Sequence, residues 1–319
     1  MDLDEIEIKR DPVIIFMGTP EFSRPVLEGL LENYKIRAVV TQPDRPVGRG
    51  GELKHSPIKE VALKNNILCL QPEKIRDALQ EINEFEPDLI ITCAYGQILP
   101  KELLLIPRLG CINVHASLLP RLRGGAPIHH AIIDGYKETG VTIMYMAEGM
   151  DSGDIISQRK ILISDDDTAS TLHDKLSIIG KDLLLETLPS ILDGTNSREK
   201  QDESLVTYGF NISRKDEKID FLKTEKKIIN QVRGLNSWPG AYCMLDGKIL
   251  KVWECYRTGE IYDHKLPGEI TKIYHDGFGV KVGNGEVVFT IIQPEGKKKM
   301  RTIDFINGYH EDLIGKILN

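Results

Sequence analysis

The sequence predicts an α/β fold: a mostly parallel sheet with helices on both faces, followed by a second domain built as a small β-barrel. Three observations carry this. Through the first two-thirds of the chain, short apolar runs alternate with helical patterns. Those runs are continuous rather than alternating, as strands buried on both faces are. After about residue 206 the pattern changes to short strands separated by turn signals, the pattern of small antiparallel barrels.

Val13–Met17 (VIIFM) reads as the first strand and ends at Gly18. Phe22–Asn33 reads as a helix, with Phe22, Val26, Leu27, Leu30 and Leu31 on one stripe. Ser23 is a candidate N-cap, and Pro25 fits only in the first turn. Ile36–Thr41, Ile67–Leu70, Asp88–Cys93 and Cys111–Val114 follow as strands, with helical segments near 57–65, 74–83, 97–105 and 126–135. Gly140–Ala147 and Asp154–Leu162 add two strands. Asp167–Leu192 is a long helical segment, interrupted or ended near Pro189. The polar stretch 194–206 reads as a linker between a domain of residues 1–193 and one of residues 207–319. In the second, Thr224–Arg233 is a helix closed by Gly234. Strands fall near 241–245, 248–256, 268–274, 278–282 and 286–293, with turns at Asp246-Gly247 and Asp276-Gly277. An OB-like barrel is one option for such a set.

Of the 319 residues, 41% are hydrophobic, enough for a sizeable core, and the net charge of −7 does not advertise a nucleic-acid binder. The distribution says more. From Val206 onward 18 Lys and Arg stand against 15 Asp and Glu, whereas the preceding residues carry 23 against 33. That asymmetry is compatible with local contact to a polyanion and also with an ordinary second domain. Five Cys without a CxxC pair point to a reducing compartment rather than a disulfide scaffold. The start, MDLDEIEIKRDP, has no apolar run and is not a secretory signal, and no window approaches 18 consecutive apolar residues. The expectation is a monomeric cytoplasmic protein with no membrane contact.

A dinucleotide site is the first thing to test in such a fold. The first strand ends MGTPEF, with Gly18 alone where three glycines are needed. A nicotinamide or flavin cofactor is therefore disfavoured. Asn113 and His115 stand two apart at the carboxyl end of a strand and project to the same side, where open α/β sheets place their ligands. Pro120, Gly124, Gly125 and Pro127 then impose an irregular loop. Alone, the pair also fits a strand that simply ends in polar residues. Asp151, between Gly149 and Gly153, supplies a carboxylate at the end of a later strand. An amide, an imidazole and a carboxylate make a toolkit for acyl transfer: oxyanion donor, proton carrier and the group that orients it. No Ser or Cys nucleophile is paired with the His, so direct transfer between two substrates fits better than a covalent intermediate. No metal is expected, because strong ligands are too few. His129 and His130 diverge by about 100° on a helix and read as surface or first-turn residues. The 41–59 loop carries Arg45, Arg49, Lys54 and Lys59 with three Pro and three Gly. It suits phosphate contact, and it equally suits a solvated insertion.

These elements together resemble the methionyl-tRNA formyltransferases. The resemblance rests on MGTPEF at 17–22, TQPDRPVGRG at 41–50, AYGQILP at 94–100, INVHASLLPRLRGGAP at 112–127, TGVTIM at 139–144, MDSGDI at 150–155 and RGLNSWPGA at 233–241. It implies a Rossmann-like catalytic domain followed by an OB-like domain that assists tRNA binding. It implies transfer of formyl from 10-formyltetrahydrofolate to the α-amino group of methionine on initiator methionyl-tRNA. By position, Asn113, His115 and Asp151 take the catalytic roles. Ser117, Leu118, Leu119 and Pro120 match the folate-binding turn, and Arg45, Arg49 and Lys54 lie in the loop that reaches the tRNA. The chain departs from the family pattern at Leu122, where an aromatic is usual, at Gly125, where Ala is usual, and in about ten extra residues before the first strand. A formyltransferase acting on another amine, and a non-catalytic RNA-binding protein on the same scaffold, are the alternatives.

Overall fold

A computed structural model describes residues 11–47, 52–309 and 311–319 of the chain. The ten-residue N-terminal extension and Arg49 lie outside the described residues. The chain divides into two units. One holds the described parts of Met1–Arg123, Gly140–Lys160 and Asp174–Thr207; the other holds those of Gly124–Thr139, Ile161–His173 and Tyr208–Asn319.

The α/β part runs β1 (Ile14–Gly18), α1 (Arg24–Asn33), β2 (Ile36–Val40), β3 (Arg45–Val47), β4 (Glu52–Lys54), α2 (Pro57–Lys64), β5 (Leu68–Leu70), α3 (Leu79–Glu84), β6 (Leu89–Cys93), α4 (Lys101–Leu104), β7 (Cys111–His115), α5 (Pro127–Ile133), β8 (Glu138–Tyr145), β9 (Ile155–Leu162) and α6 (Ala169–Asp193). Seven strands form a Rossmann-like sheet in the order β5-β2-β1-β6-β7-β8-β9. β1 pairs in parallel with β2 and β6, β2 with β5, and β6 with β7, whereas β7 and β8 are antiparallel. Every residue of β1 and β6 is buried, which is why both read as unbroken apolar runs. Strand order reverses between β1 and β6, and open α/β sheets as a class bind ligands at the carboxyl ends beside such a switch.

Two local expectations change. Ser23 does not cap α1; its buried hydroxyl donates to the Cys93 carbonyl at 2.5 Å and ties the end of β1 to the end of β6. Gly18 permits this approach, since a Cβ there would lie 2.9 Å from both the Cys93 oxygen and the Ser23 Cβ. The long helix α6 does not stop at Pro189 but runs through it to Asp193. Burial of Leu184, Leu188 and Ile191 outweighs the one backbone bond a proline forfeits. Burial also pushes the Cys93 and Cys111 thiols up to about 12, so both pack as small apolar groups.

In the second unit come α7 (Arg214–Glu217), α8 (Glu225–Gly234), β10 (Ala241–Leu245), β11 (Lys248–Arg257), β12 (Ile270–Ile273), β13 (Phe278–Val282), β14 (Gly285–Pro294), β15 (Met300–Arg301) and α9 (Thr302–Asn307). The antiparallel OB-like sheet has the order β10-β11-β14-β13-β12, with β15 on β14. Val252, Phe278, Val280 and Phe289 form its core with Ile228 and Val232 of α8. Thr224 caps α8 by accepting from the Lys227 N–H. His129 and His130 do lie in the first turn of α5, but half-buried rather than on the surface. Their rings donate to the Gly234 carbonyl at 2.7 Å and the Phe210 carbonyl at 3.0 Å, and burial lowers the pKa of His129.

Residues 316–319 join the two edge strands of this sheet. Ile270 N–H donates to the Lys316 carbonyl and Leu318 N–H to the Gly268 carbonyl, both at 2.8 Å, while Met244 and Asn319 exchange bonds of 2.7 and 3.1 Å. Gly268 makes the junction possible: its φ is +88°, and a Cβ would lie 2.4 Å from the Leu318 oxygen. Gly268→Ala is expected to destabilise this unit by about 1–3 kcal/mol. Chemical denaturation measures it, and an unchanged transition would show that the closure contributes nothing.

Candidate active site

β7 delivers Asn113 and His115 to its carboxyl end, and β6 lies in register beside it, with Thr92 opposite Asn113. The Thr92 hydroxyl has three acceptors in reach, Asn113 Oδ1 at 2.8 Å, the Ile112 carbonyl at 3.0 Å and Met146 Sδ at 3.2 Å. With its oxygen turned to Thr92, the Asn113 amide presents Nδ2 as a donor. His115 is only 6% exposed. Its Nε2 donates to the Leu122 carbonyl at 3.0 Å, and its Nδ1 faces Asp151 Oδ1 at 3.7 Å. A carbonyl only accepts, so Nε2 carries a hydrogen.

Asp151 sits in the β8–β9 connection with φ +45°, a conformation uncommon for a residue with a side chain. Its carboxylate keeps 20% exposure. Gly153 allows the turn: a Cβ there would come within 1.9 Å of the Tyr145 carbonyl oxygen.

The loop after β7 divides its tasks. Ser117 and Leu119 are buried and bonded inward. The Ser117 hydroxyl donates to the Arg121 carbonyl at 2.6 Å, Thr142 donates to the Ser117 carbonyl at 2.7 Å, and Gln158 to that of Leu119 at 2.8 Å. Leu118 and Pro120 stay half-exposed, so the open edge of the turn is apolar. Leu122 has φ +58° and a buried side chain; its backbone, not the side chain, meets His115. Arg121 is exposed. Arg123 is 3% exposed, its guanidinium bonded to Gln201 and Glu203.

The 41–59 loop is not a structureless insertion at its described ends. β3 and β4 pair as a hairpin that sets Arg45 directly opposite Lys54, both exposed. Asp44 clamps the base: it takes bonds from Lys59, His55 and Gln71, and the Lys59 ammonium leads in holding its carboxyl down to about 2. Lys59 is thereby an anchor of the loop. Arg45 lies 3.7 Å from the exposed Glu73.

Sequence reasoning did not find Thr92, Arg123, Gln201 or Thr207. Thr92 is one polar residue in an apolar strand, and the contacts of the others span loops that only folding brings together. Among the described residues, no three His, Cys, Asp or Glu side chains are grouped to hold a metal ion.

The formyl transferase family matches residues 12–188, and the formyl transferase C-terminal domain matches residues 211–310. A methionyl-tRNA formyltransferase of Lysinibacillus sphaericus is 54% identical over 299 residues, covering 92% of this chain and 95% of that one. One of Bacillus subtilis is 50% identical over 301 residues, covering 93% and 95%. Among solved structures, WlaRD, a sugar 3N-formyl transferase determined in the presence of dTDP and 5-N-formyl-THF, superposes with a TM-score of 0.66 at 21% identity, over 91% of this chain and 100% of that one. That likeness concerns the fold. With half its residues shared by relatives along nearly the whole length, and both domains of the family in order, the chain belongs to the methionyl-tRNA formyltransferases.

Proposed function

We propose that the chain transfers the formyl group of 10-formyltetrahydrofolate to the α-amino group of methionine on initiator methionyl-tRNA, with Asn113, His115 and Asp151 as its catalytic residues. One observation carries the assignment of residues: a buried imidazole held between the Leu122 carbonyl and the Asp151 carboxylate, beside an amide whose oxygen is already bonded. In the reaction the neutral methionyl amine attacks the formyl carbon, a new C–N bond forms and the bond to the folate nitrogen breaks. Asn113 Nδ2 donates to the oxyanion that develops, while the His115 ring, with Nε2 held on the Leu122 carbonyl, acts on the reacting groups through Nδ1. Asp151 orients that ring. The amine proton passes to the folate leaving nitrogen, with His115 as the carrier at hand. Holding both substrates in contact supplies much of the rate.

The turn at Ser117, Leu118, Leu119 and Pro120 would receive the folate. Its inward bonds make it rigid, and the half-exposed Leu118 and Pro120 offer the apolar edge. Arg45, Arg49 and Lys54 would take tRNA phosphates. Like charges set opposite across a hairpin repel, and a phosphate between Arg45 and Lys54 relieves that repulsion. Residues 1–193 would act as the catalytic domain, 194–206 as the connection and 207–319 as the domain assisting tRNA binding. The chain would work as a monomer in the cytoplasm. No helix among the described residues is long and apolar enough to cross a membrane.

His115→Ala and Asp151→Ala should each lower kcat at least about 100-fold with the unfolding midpoint retained; wild-type turnover in both would sink the assignment. Thr92→Val keeps the volume and frees the Asn113 oxygen, so formylation should slow roughly 5- to 10-fold, the worth of one hydrogen bond. Steady-state kinetics with labelled formyl donor checks all three. Combined Arg45→Ala and Lys54→Ala, or Arg49→Ala alone, should raise the KM for tRNA, leave that for the formyl donor unchanged, and matter less as salt rises. No change in the tRNA KM would make the loop a passive insertion.

A further inference from the structure

We propose that residues Ser197–Thr207 form a strap that positions both partners of the His115 ring, with Gln201 as its central positioning residue. The inference rests on the reading of His115 and Asp151 as catalytic. One end of the strap is bonded just past the Asp151 turn. Ile155 and Glu199 exchange backbone bonds of 2.8 and 2.9 Å, and the Ser197 hydroxyl donates to the Ile156 carbonyl at 3.2 Å. The other end holds the loop after β7. Leu122 N–H donates to Thr207 Oγ1, and Arg123 N–H to the Thr207 carbonyl, both at 2.9 Å.

Gln201 joins the two ends. Its Nε2 donates to the carbonyls of Asp151 and Gly153, each at 2.8 Å. Its Oε1 accepts from Arg123 Nε at 3.0 Å and Nη2 at 2.9 Å. Both hydrogens and both lone pairs of the amide are thereby used, which fixes its orientation. The rest of the buried Arg123 guanidinium pairs with Glu203, whose carboxyl that bond lowers. Asp151, facing Nδ1, and Leu122, accepting from Nε2, are therefore braced by one short segment.

Backbone conformation gives the brace a reason. Asp151 at φ +45° and Leu122 at φ +58° are both left-handed without being glycine. Such residues persist only where the surroundings over-determine them. The strap bonds the carbonyl of Asp151 and the N–H of Leu122, the backbone atoms whose direction those dihedrals set. A segment with the composition of a linker thus acts on the geometry of a site whose reacting atoms it does not touch.

The test compares Gln201→Met and Gln201→Glu in the full chain. The first removes all four bonds at similar volume; the second keeps acceptors for Arg123 and loses the donors to Asp151 and Gly153. Both should lower kcat roughly 10- to 100-fold with the KM for each substrate unchanged, as expected when reacting groups are misplaced while substrate binding stays intact. In an Asp151→Asn background, adding Gln201→Met should cost clearly less than it does alone. Wild-type kcat in both variants, or full additivity with Asp151→Asn, would overturn the proposal. So would loss of the folded state at assay temperature in both, which would make the strap a folding element. Wild-type turnover of Asp151→Asn alone would instead overturn the assignment of Asp151.

Discussion

The candidate site depends on how a single buried ring is held. His115 donates from Nε2 to a backbone carbonyl, which leaves Nδ1 as the only nitrogen free to meet chemistry, and that nitrogen faces Asp151. A ring with one face of its proton chemistry settled by the backbone can differ only at the other. The neighbouring amide is treated alike: Thr92 takes its oxygen and leaves its N–H pair. The amide is thereby set as a donor before a substrate arrives, which is the preorganisation that oxyanion stabilisation requires, and the ring is fixed in orientation.

Such preorganisation has a conformational cost. It is concentrated at Asp151 and Leu122, the two left-handed residues on either side of the ring. Neither could be held by the sheet alone, because both lie on loops beyond the strand ends. Arg123, which is buried, Gln201, half-buried, and the exposed Thr207 supply that restraint from a third direction. A leucine side chain at position 122 is tolerable on the same ground. The atom that meets His115 is a carbonyl, which every residue has, and the side chain is turned into the interior.

The second unit settles a different problem, the exposed edges of a small sheet. Residues 316–319 bond to strands at both edges, leaving fewer unpaired backbone groups to recruit another chain. Its α8 buries Ile228 and Val232 against the same core and meets α5 where Gly234 leaves no room for a side chain: a Cβ there would lie 2.6 Å from Ile133. The role of the RGLNSWPGA segment is partly architectural. Arg233 gathers the carbonyls of Ser164 and Asp167 at 2.9 and 3.1 Å, while Trp238 remains 70% exposed.

Periodicity and local chemistry by themselves determined the order of the strands of the two main sheets, apart from the short β15, and of the longer helices, because burial on both faces writes a continuous apolar run and burial on one face of a helix writes a stripe; the short β3, β4, α7, β15 and α9 were not legible. They also placed Asn113 and His115 at a strand end and Asp151 between glycines, since spacing along one strand and the need for a tight turn are local properties. The family was legible for the same reason, in motifs each contained within about sixteen residues. Tertiary structure alone decided what holds those residues. Ser23 looked like a cap because a cap is local, yet its hydroxyl serves a strand 70 positions away. Pro189 looked like a stop because the cost of a proline is local, whereas the packing that overrides it is not. The stretch around Gln201 read as a linker because it lacks apolar residues; it is held by hydrogen bonds to backbone carbonyls about 50 positions away, and no composition records a partner that folding has yet to bring near.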